Sequence, residues 1–210
     1  MSTIEAVIWD FGGVISSSPF EAFARFEAER GLPHGFIRSV NATNPHENAW
    51  ARLERSDFGL DAFDEAFAQE SRALGHEVRG ADILPLLGGV VRPEMVEALR
   101  RIGARLKTGC ITNNFTTTQA SPMGSMYKAE VMALFHHVIE SAKSGLRKPD
   151  PRIYRMMTDA LEVEPAACVY LDDLGINLKP AREMGMRTIK VGEPGPALDE
   201  LEAFVGFALR

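Results

Sequence analysis

An α/β fold, built on a doubly wound parallel sheet with an inserted helical block, is predicted by three features of this 210-residue chain. A short apolar strand, Ala6-Val7-Ile8-Trp9, runs straight into Asp10-Phe11-Gly12-Gly13-Val14. From Gly88 onward, strand-like apolar runs alternate with helical ones, the pattern of a parallel sheet covered on both faces. Between these regions, residues 16–87 carry helical periodicity and no convincing strand. The expected organisation is therefore a core made of residues 1–15 and 88–210, with residues 16–87 inserted as a helical cap.

Taken in order, Pro19 opens a helix carrying Phe20, Phe23, Ala24 and Glu27, because proline suits the first turn. Asn44-Pro45 is expected to open a second, running towards Trp50 and Leu53. Leu60, Phe63 and Phe67 form an i, i+3, i+7 stripe on a third, with Asp61, Asp64 and Glu65 in its first turns. Such a stripe belongs to a core more often than to a binding surface. Beyond Gly88 the expected elements are a helix over 93–102, a strand over 106–112, a helix over 125–133 and a strand over 137–140. A helix over 151–161, a strand over 168–171, a helix over 176–184, a strand over 188–191 and a last helix over 197–207 complete the chain.

Composition narrows the function. Hydrophobic residues make up 45% of the chain, enough for a full core without disulfides. Cys110 and Cys168 both sit in apolar runs without metal-ligand spacing, so they are expected to be free packing thiols in a reducing compartment. No apolar run reaches membrane-spanning length and no leader pattern precedes the first strand, so a soluble, cytoplasmic protein is expected. The net charge of −6 argues against a nucleic-acid partner. Residues 16–87 hold 12 acidic and 7 basic residues, which disfavours polyanionic substrates at that face. Self-association is left open.

Four segments carry the chemistry, each at the carboxyl end of an expected strand, where ligand crevices lie in open α/β sheets. Asp10 is held by a buried strand, and the two glycines after it permit a tight turn and close approach of a ligand, which makes its carboxylate a candidate nucleophile. Asp and Gly are also ordinary turn residues. Thr112-Asn113-Asn114 offers a hydroxyl and amides to phosphate oxygens, or is a plain turn. Lys148, ahead of Pro149, can place an ammonium against phosphate or against a carboxylate. Alternatively Lys143, Arg147 and Lys148 form a solvated basic run. Asp172-Asp173 follows an apolar strand, where adjacent carboxylates are costly unless paired. A hard cation such as Mg²⁺ is the natural partner, with one of the two as direct ligand. Capping of the following helix is compatible with that role.

The order Asp10, Thr112, Lys148, Asp172-Asp173 resembles the haloacid dehalogenase-like hydrolase superfamily. The stretch from Leu171 to Met186 is similar to the N-terminal phosphatase domain of soluble epoxide hydrolases and to the related domain fused to some acyl-CoA dehydrogenases. The Asp10-Phe-Gly-Gly-Val spelling favours the second, and Lys148-Pro-Asp-Pro-Arg-Ile-Tyr154 fits both. The resemblance implies phosphomonoester hydrolysis of a small molecule through an aspartyl-phosphate at Asp10. It implies Mg²⁺ held by Asp10, the Gly12 carbonyl and Asp173, with Asp172 in support through water. It also implies Thr112 and Asn113 on the transferred phosphoryl group, and Lys148 holding Asp10 and stabilising charge.

One position departs from the family pattern. Two residues after the nucleophile, phosphatases of this family usually carry a second Asp that moves the proton; here it is Gly12. Good leaving groups, a proton donor from the cap (His34 and His46 are the candidates) or poor turnover are the possible consequences. The alternative functions are a phosphate-binding regulatory module without chemistry, and a 2-haloacid dehalogenase. The paired acids argue against the latter, since that chemistry needs no metal.

Overall fold

The computed structural model describes residues 3–115 and 128–210. Five parallel strands form one sheet: β1 (Ala6–Trp9), β2 (Lys107–Thr112), β3 (His137–Glu140), β4 (Cys168–Asp172) and β5 (Arg187–Lys190). Their spatial order is β3-β2-β1-β4-β5. The chain winds outward from β1 through β2 to β3, then returns to the other side of β1 for β4 and β5. The switch point lies between β1 and β4, and the crevice beyond these strand ends is where such sheets bind ligands.

Side-chain alternation along β1 assigns its two faces. Val7 and Trp9 pack with the helices Pro93–Gly103 and Pro194–Val205, whereas Ala6 and Ile8 pack with Pro151–Leu161 and Gly175–Glu183. Both faces are apolar because both are covered. Gly109 in β2 is required by this packing: a Cβ there would lie 2.4 Å from the Met157 sulfur.

The span from Phe20 to Leu87 is built of short helices joined by turns and has a hydrophobic cluster of its own, centred on Ile37, Phe63, Phe67 and Ile83. Its helices are Phe20–Glu29, Phe36–Ala42, Ala49–Glu54, Leu60–Ala73 and the short Gly80–Ile83. Two linkers join this insert to the sheet and run antiparallel. Ser16 bridges Val91, Ser17 N donates to Val90 O at 2.8 Å, and Arg92 N donates to Ile15 O at 2.9 Å. Gly89 allows this close pairing, since a Cβ there would sit 2.5 Å from the Ser17 carbonyl oxygen.

Several expected elements shift in detail. The helix expected to open at Asn44-Pro45 starts at Ala49, because the Asn48 side chain caps it by accepting from Ala51 N at 2.8 Å. Asn44 instead adopts a left-handed conformation in the preceding turn. The helix Phe36–Ala42 is too short and irregular in pattern for periodicity to reveal. The last helix begins at Pro194, three residues before the apolar stripe at Ala197. Of the helix expected over 125–133, the first three residues lie outside the described residues, and 128–132 are helical. Cys110 and Cys168 are buried and free. Among the described residues, no helix is long and apolar enough to cross a membrane.

Candidate active site

The site is assembled at the carboxyl ends of β1, β2 and β4. Asp10 follows β1 directly, and its Oδ1 accepts from the next backbone N–H, Phe11, at 2.7 Å. Gly13, at φ 75°, turns the chain beneath Asp173: a Cβ on it would lie 2.2 Å from Asp173 Oδ2. No other residue fits there without moving that carboxylate. Arg92, from the second linker, donates to the Gly13 carbonyl at 3.1 Å and ties the turn to the insert's attachment.

Lys148 is the pivot. Its side chain is 1% exposed, and Nζ lies 2.8 Å from Asp10 Oδ1 and 2.8 Å from Asp172 Oδ2. The expectation of a solvated basic run therefore holds for Lys143, which is largely exposed, and not for Lys148. Burial alone would lower an ammonium pKa; the two carboxylates outweigh it and push Lys148 above its usual range.

The adjacent acids have different surroundings. Asp172 is fully buried and its lone pairs are occupied. Oδ1 accepts from Leu174 N at 2.8 Å and Asn177 Nδ2 at 3.0 Å, and Oδ2 accepts from Lys148 and from the Tyr170 hydroxyl. Asp173 is half-buried, and among the described residues the side-chain bond it receives is a long one from Ser18 Oγ, 3.3 Å to Oδ2. The Asp172 contact to Leu174 N sits just ahead of the helix Gly175–Glu183, so its capping role and its site role coexist.

Three carboxylates, Asp10, Asp172 and Asp173, bring ligand oxygens within 4.8 Å of one another. With one ammonium among them the cluster carries a net charge of −2 when ionised. Burial first, and then the neighbouring acids, raise Asp10 to about 8 against the pull of Lys148; burial and Asp172 raise Asp173 to about 6. The donor set fits a hard divalent cation: all ligands are oxygen, the excess charge is two, and Asp10 Oδ2 has no hydrogen-bond partner among the described residues. Saturated Asp172 is better suited to orienting the cluster than to binding the ion directly.

Thr112 ends β2 beside Asp10, is buried, and its hydroxyl bonds to no other side chain among the described residues. Asn113 is committed elsewhere. Its Oδ1 accepts from Lys148 N at 2.9 Å, and its Nδ2 donates to Lys148 O at 3.1 Å and to Glu54 Oε2 at 3.1 Å. Asn114 staples β2 to β3 through Glu140, Ser141 and Ala142. His34 and His46 are exposed, and neither ring bonds to any of these groups.

Sequence reasoning missed four participants. Tyr170 could have been found, since it precedes Asp172 by two residues on a strand and so shares its face. Asn177 lies on the next helix, and Tyr154 OH donates to its carbonyl at 2.7 Å. Ser18 and Glu54 come from the insert and its linker, and no local pattern marks them.

The model of the haloacid dehalogenase-like hydrolase family matches residues 4–185. The chain is 40% identical over 217 residues to bifunctional epoxide hydrolase 2 of Rattus norvegicus, covering 97% of this chain and 39% of that protein. It spans a still smaller share, 19%, of acyl-CoA dehydrogenase family member 10 of Mus musculus, to which it is 33% identical across 97% of its own length. Against phosphatase MT3486 of Mycobacterium tuberculosis the identity is 35%, covering 94% of this chain and 91% of that protein. Among solved structures, a HAD family enzyme of Bacteroides thetaiotaomicron, in complex with magnesium and inorganic phosphate, superposes with a TM-score of 0.60 at 16% identity, covering 91% of this chain and 96% of that one. Site and sequence agree: this chain belongs to the haloacid dehalogenase-like hydrolases.

Proposed function

We propose that the protein is a Mg²⁺-dependent phosphomonoesterase acting on a small phosphorylated molecule, with Asp10 as nucleophile and residues 16–87 as a cap over the site. One observation carries this reading. Lys148 holds Asp10 by Oδ1, leaving Oδ2 without a hydrogen-bond partner among the described residues at the ligand-binding end of the sheet, inside a cluster whose excess charge matches one divalent cation. The resemblance to a named phosphatase over nearly the full length supports it.

In this reading Asp10 Oδ2 attacks phosphorus, a bond forms to that oxygen, and the ester P–O bond breaks. Water then attacks the same phosphorus, the P–O bond to Asp10 breaks, and inorganic phosphate leaves. Lys148 keeps Asp10 oriented, opposes the rise in its pKa and places positive charge beside the transferring group. Thr112 donates its hydroxyl to a phosphoryl oxygen. Asn113 serves by fixing Lys148. Asp10, the Gly12 carbonyl and Asp173 would hold Mg²⁺, with Asp172 orienting them. The ion, when bound, neutralises charge on the phosphoryl oxygens.

Gly12 supplies no proton to the leaving oxygen, and neither His34 nor His46 reaches the cluster. The favoured substrates are therefore phosphates whose leaving groups need little protonation, such as acyl, anomeric or phenolic phosphates. The test is a metal-dependent screen of such phosphates with wild type beside Asp10→Asn. Turnover that needs Mg²⁺ and disappears in Asp10→Asn is expected. Tight phosphate binding without turnover would favour the regulatory module, and activity surviving EDTA would favour dehalogenase-type chemistry.

A further inference from the structure

The cap meets the core at a buried carboxylate that none of the proposed chemical steps uses. Glu54 ends the helix Ala49–Glu54, and its side chain is 8% exposed. Oε1 accepts from Trp50 Nε1 at 3.0 Å. Oε2 accepts from Arg147 Nε at 2.7 Å and from Asn113 Nδ2 at 3.1 Å. Arg147 also donates to the Pro45 carbonyl at 2.8 Å. Two consecutive residues thus face opposite ways: Arg147 engages the cap, while Lys148 engages Asp10 and Asp172.

We propose that Glu54 is a positioning residue for Lys148, acting through the Asn113 side chain, so that seating of the cap sets the geometry of the nucleophile. This rests on the reading of Asp10 and Lys148 given above. An Asn amide has two donor hydrogens and one acceptor oxygen. At Asn113 both hydrogens are used, one on Lys148 O and one on Glu54, and the oxygen accepts from Lys148 N. Glu54 therefore anchors the amide that clasps both backbone polar groups of Lys148. Without that acceptor the amide can rotate, and the Lys148 backbone loses its fixed partner. An ion pair that merely glues two surfaces would need only Arg147; the bond to Asn113 adds the link to the site.

The test is residue-resolved amide hydrogen exchange of the full chain, read at Lys148, together with steady-state kinetics. In Glu54→Leu, which offers no acceptor, the Lys148 amide should exchange about tenfold faster or more, reflecting local opening. The kcat should fall by about tenfold with KM altered less than about threefold, the mark of a group that orients rather than binds. Glu54→Gln retains an acceptor and should keep both properties within about threefold of wild type. In an Asn113→Ala background, Glu54→Leu should add nothing further, because the two act in series. Unchanged Lys148 exchange in Glu54→Leu, or additive effects in the double variant, overturns the proposal; Glu54→Met is read in the same way if Glu54→Leu does not fold. Exchange needs no substrate, so absence of wild-type turnover would defeat the phosphatase reading while leaving this inference decided on its own terms.

Discussion

Replacing Gly12 by Asp isolates the proton-transfer step. Gly12 has φ −70° and ψ 132°, an ordinary extended conformation for any residue, and a Cβ built on it meets nothing within 4 Å among the described residues. The backbone therefore asks no steric cost of the change, and loss of glycine freedom in the unfolded chain should stabilise the fold by about 0.4–1 kcal/mol. Opposing this, a fourth acid joins three carboxylates that share one lysine, so the metal-free variant should melt at or below wild type and recover with Mg²⁺. A positioned general acid is worth about 10²–10⁴-fold, or roughly 3–5 kcal/mol of barrier. That gain should appear where the leaving oxygen needs a proton. Alkyl phosphates should be hydrolysed about 10²-fold faster or more by Gly12→Asp, while phenolic phosphates change by only a few-fold. The ratio of the two kcat/KM values is the quantity to measure, since it cancels any general disturbance of the site. An unchanged ratio in a folded, Mg²⁺-binding variant would refute the argument that the missing carboxylate limits this enzyme.

Lys148→Met should cost about 3–5 kcal/mol, because it leaves the fully buried Asp172 carboxylate without its cation and Asp10 without its partner; denaturant melts of the two proteins at pH 7 measure the loss. In the metal-free protein Asp10 and Asp173 hold their protons to higher pH than in the unfolded chain, so stability should fall as pH rises through about 6 and then about 8, and Mg²⁺ should stabilise more at pH 8 than at pH 5.5. Asp173→Asn should remove the step near pH 6 while leaving the larger one near pH 8, raise metal-free stability at pH 7 by roughly 1–2 kcal/mol and abolish Mg²⁺ binding, as followed by calorimetry. Burial pushes the Cys168 thiol up to about 12 and Cys110 higher still, so a thiol-specific reagent at pH 8 should label neither cysteine until the protein is denatured.

The strands were legible because their chemistry is local. Cys168–Leu171 is a short apolar run and His137–Glu140 a β-branched pair flanked by polar residues, and both recur as strands, the first extended by Asp172. Asp10 and the Asp172-Asp173 pair could be singled out because each ends such a run. What could not be read is how the acids divide their work. That division depends on Tyr170, Asn177 and Lys148 converging on Asp172 from β4, the next helix and a distant loop, which leaves Asp173 comparatively open. Asn113 illustrates the same limit. Its type and position suit a phosphate ligand, and only the fold reveals that its amide is spent on the Lys148 backbone. Within 16–87, amphipathic stripes located the Leu60–Ala73 helix, but the Asn48 cap displaced the start of the one before it.

The buried acidic cluster is itself an argument about function. Asp172 is satisfied by five contacts from four partners, so its burial is compatible with stability alone. Asp10 and Asp173 are not: among the described residues one oxygen of Asp10 lacks a partner and the side-chain bond to Asp173 is a long one, and both are held above the usual carboxylate range. A fold selected only for stability would neutralise or expose these two groups. Their retention beside Gly13, whose missing side chain makes room for Asp173, locates the strain where the sheet changes direction. Structural ion pairs spread such charge over several partners, whereas here the two under-satisfied oxygens belong to adjacent strand ends and to no other surface. That localisation, more than any one residue, is what a site awaiting a cation and a phosphoryl group requires.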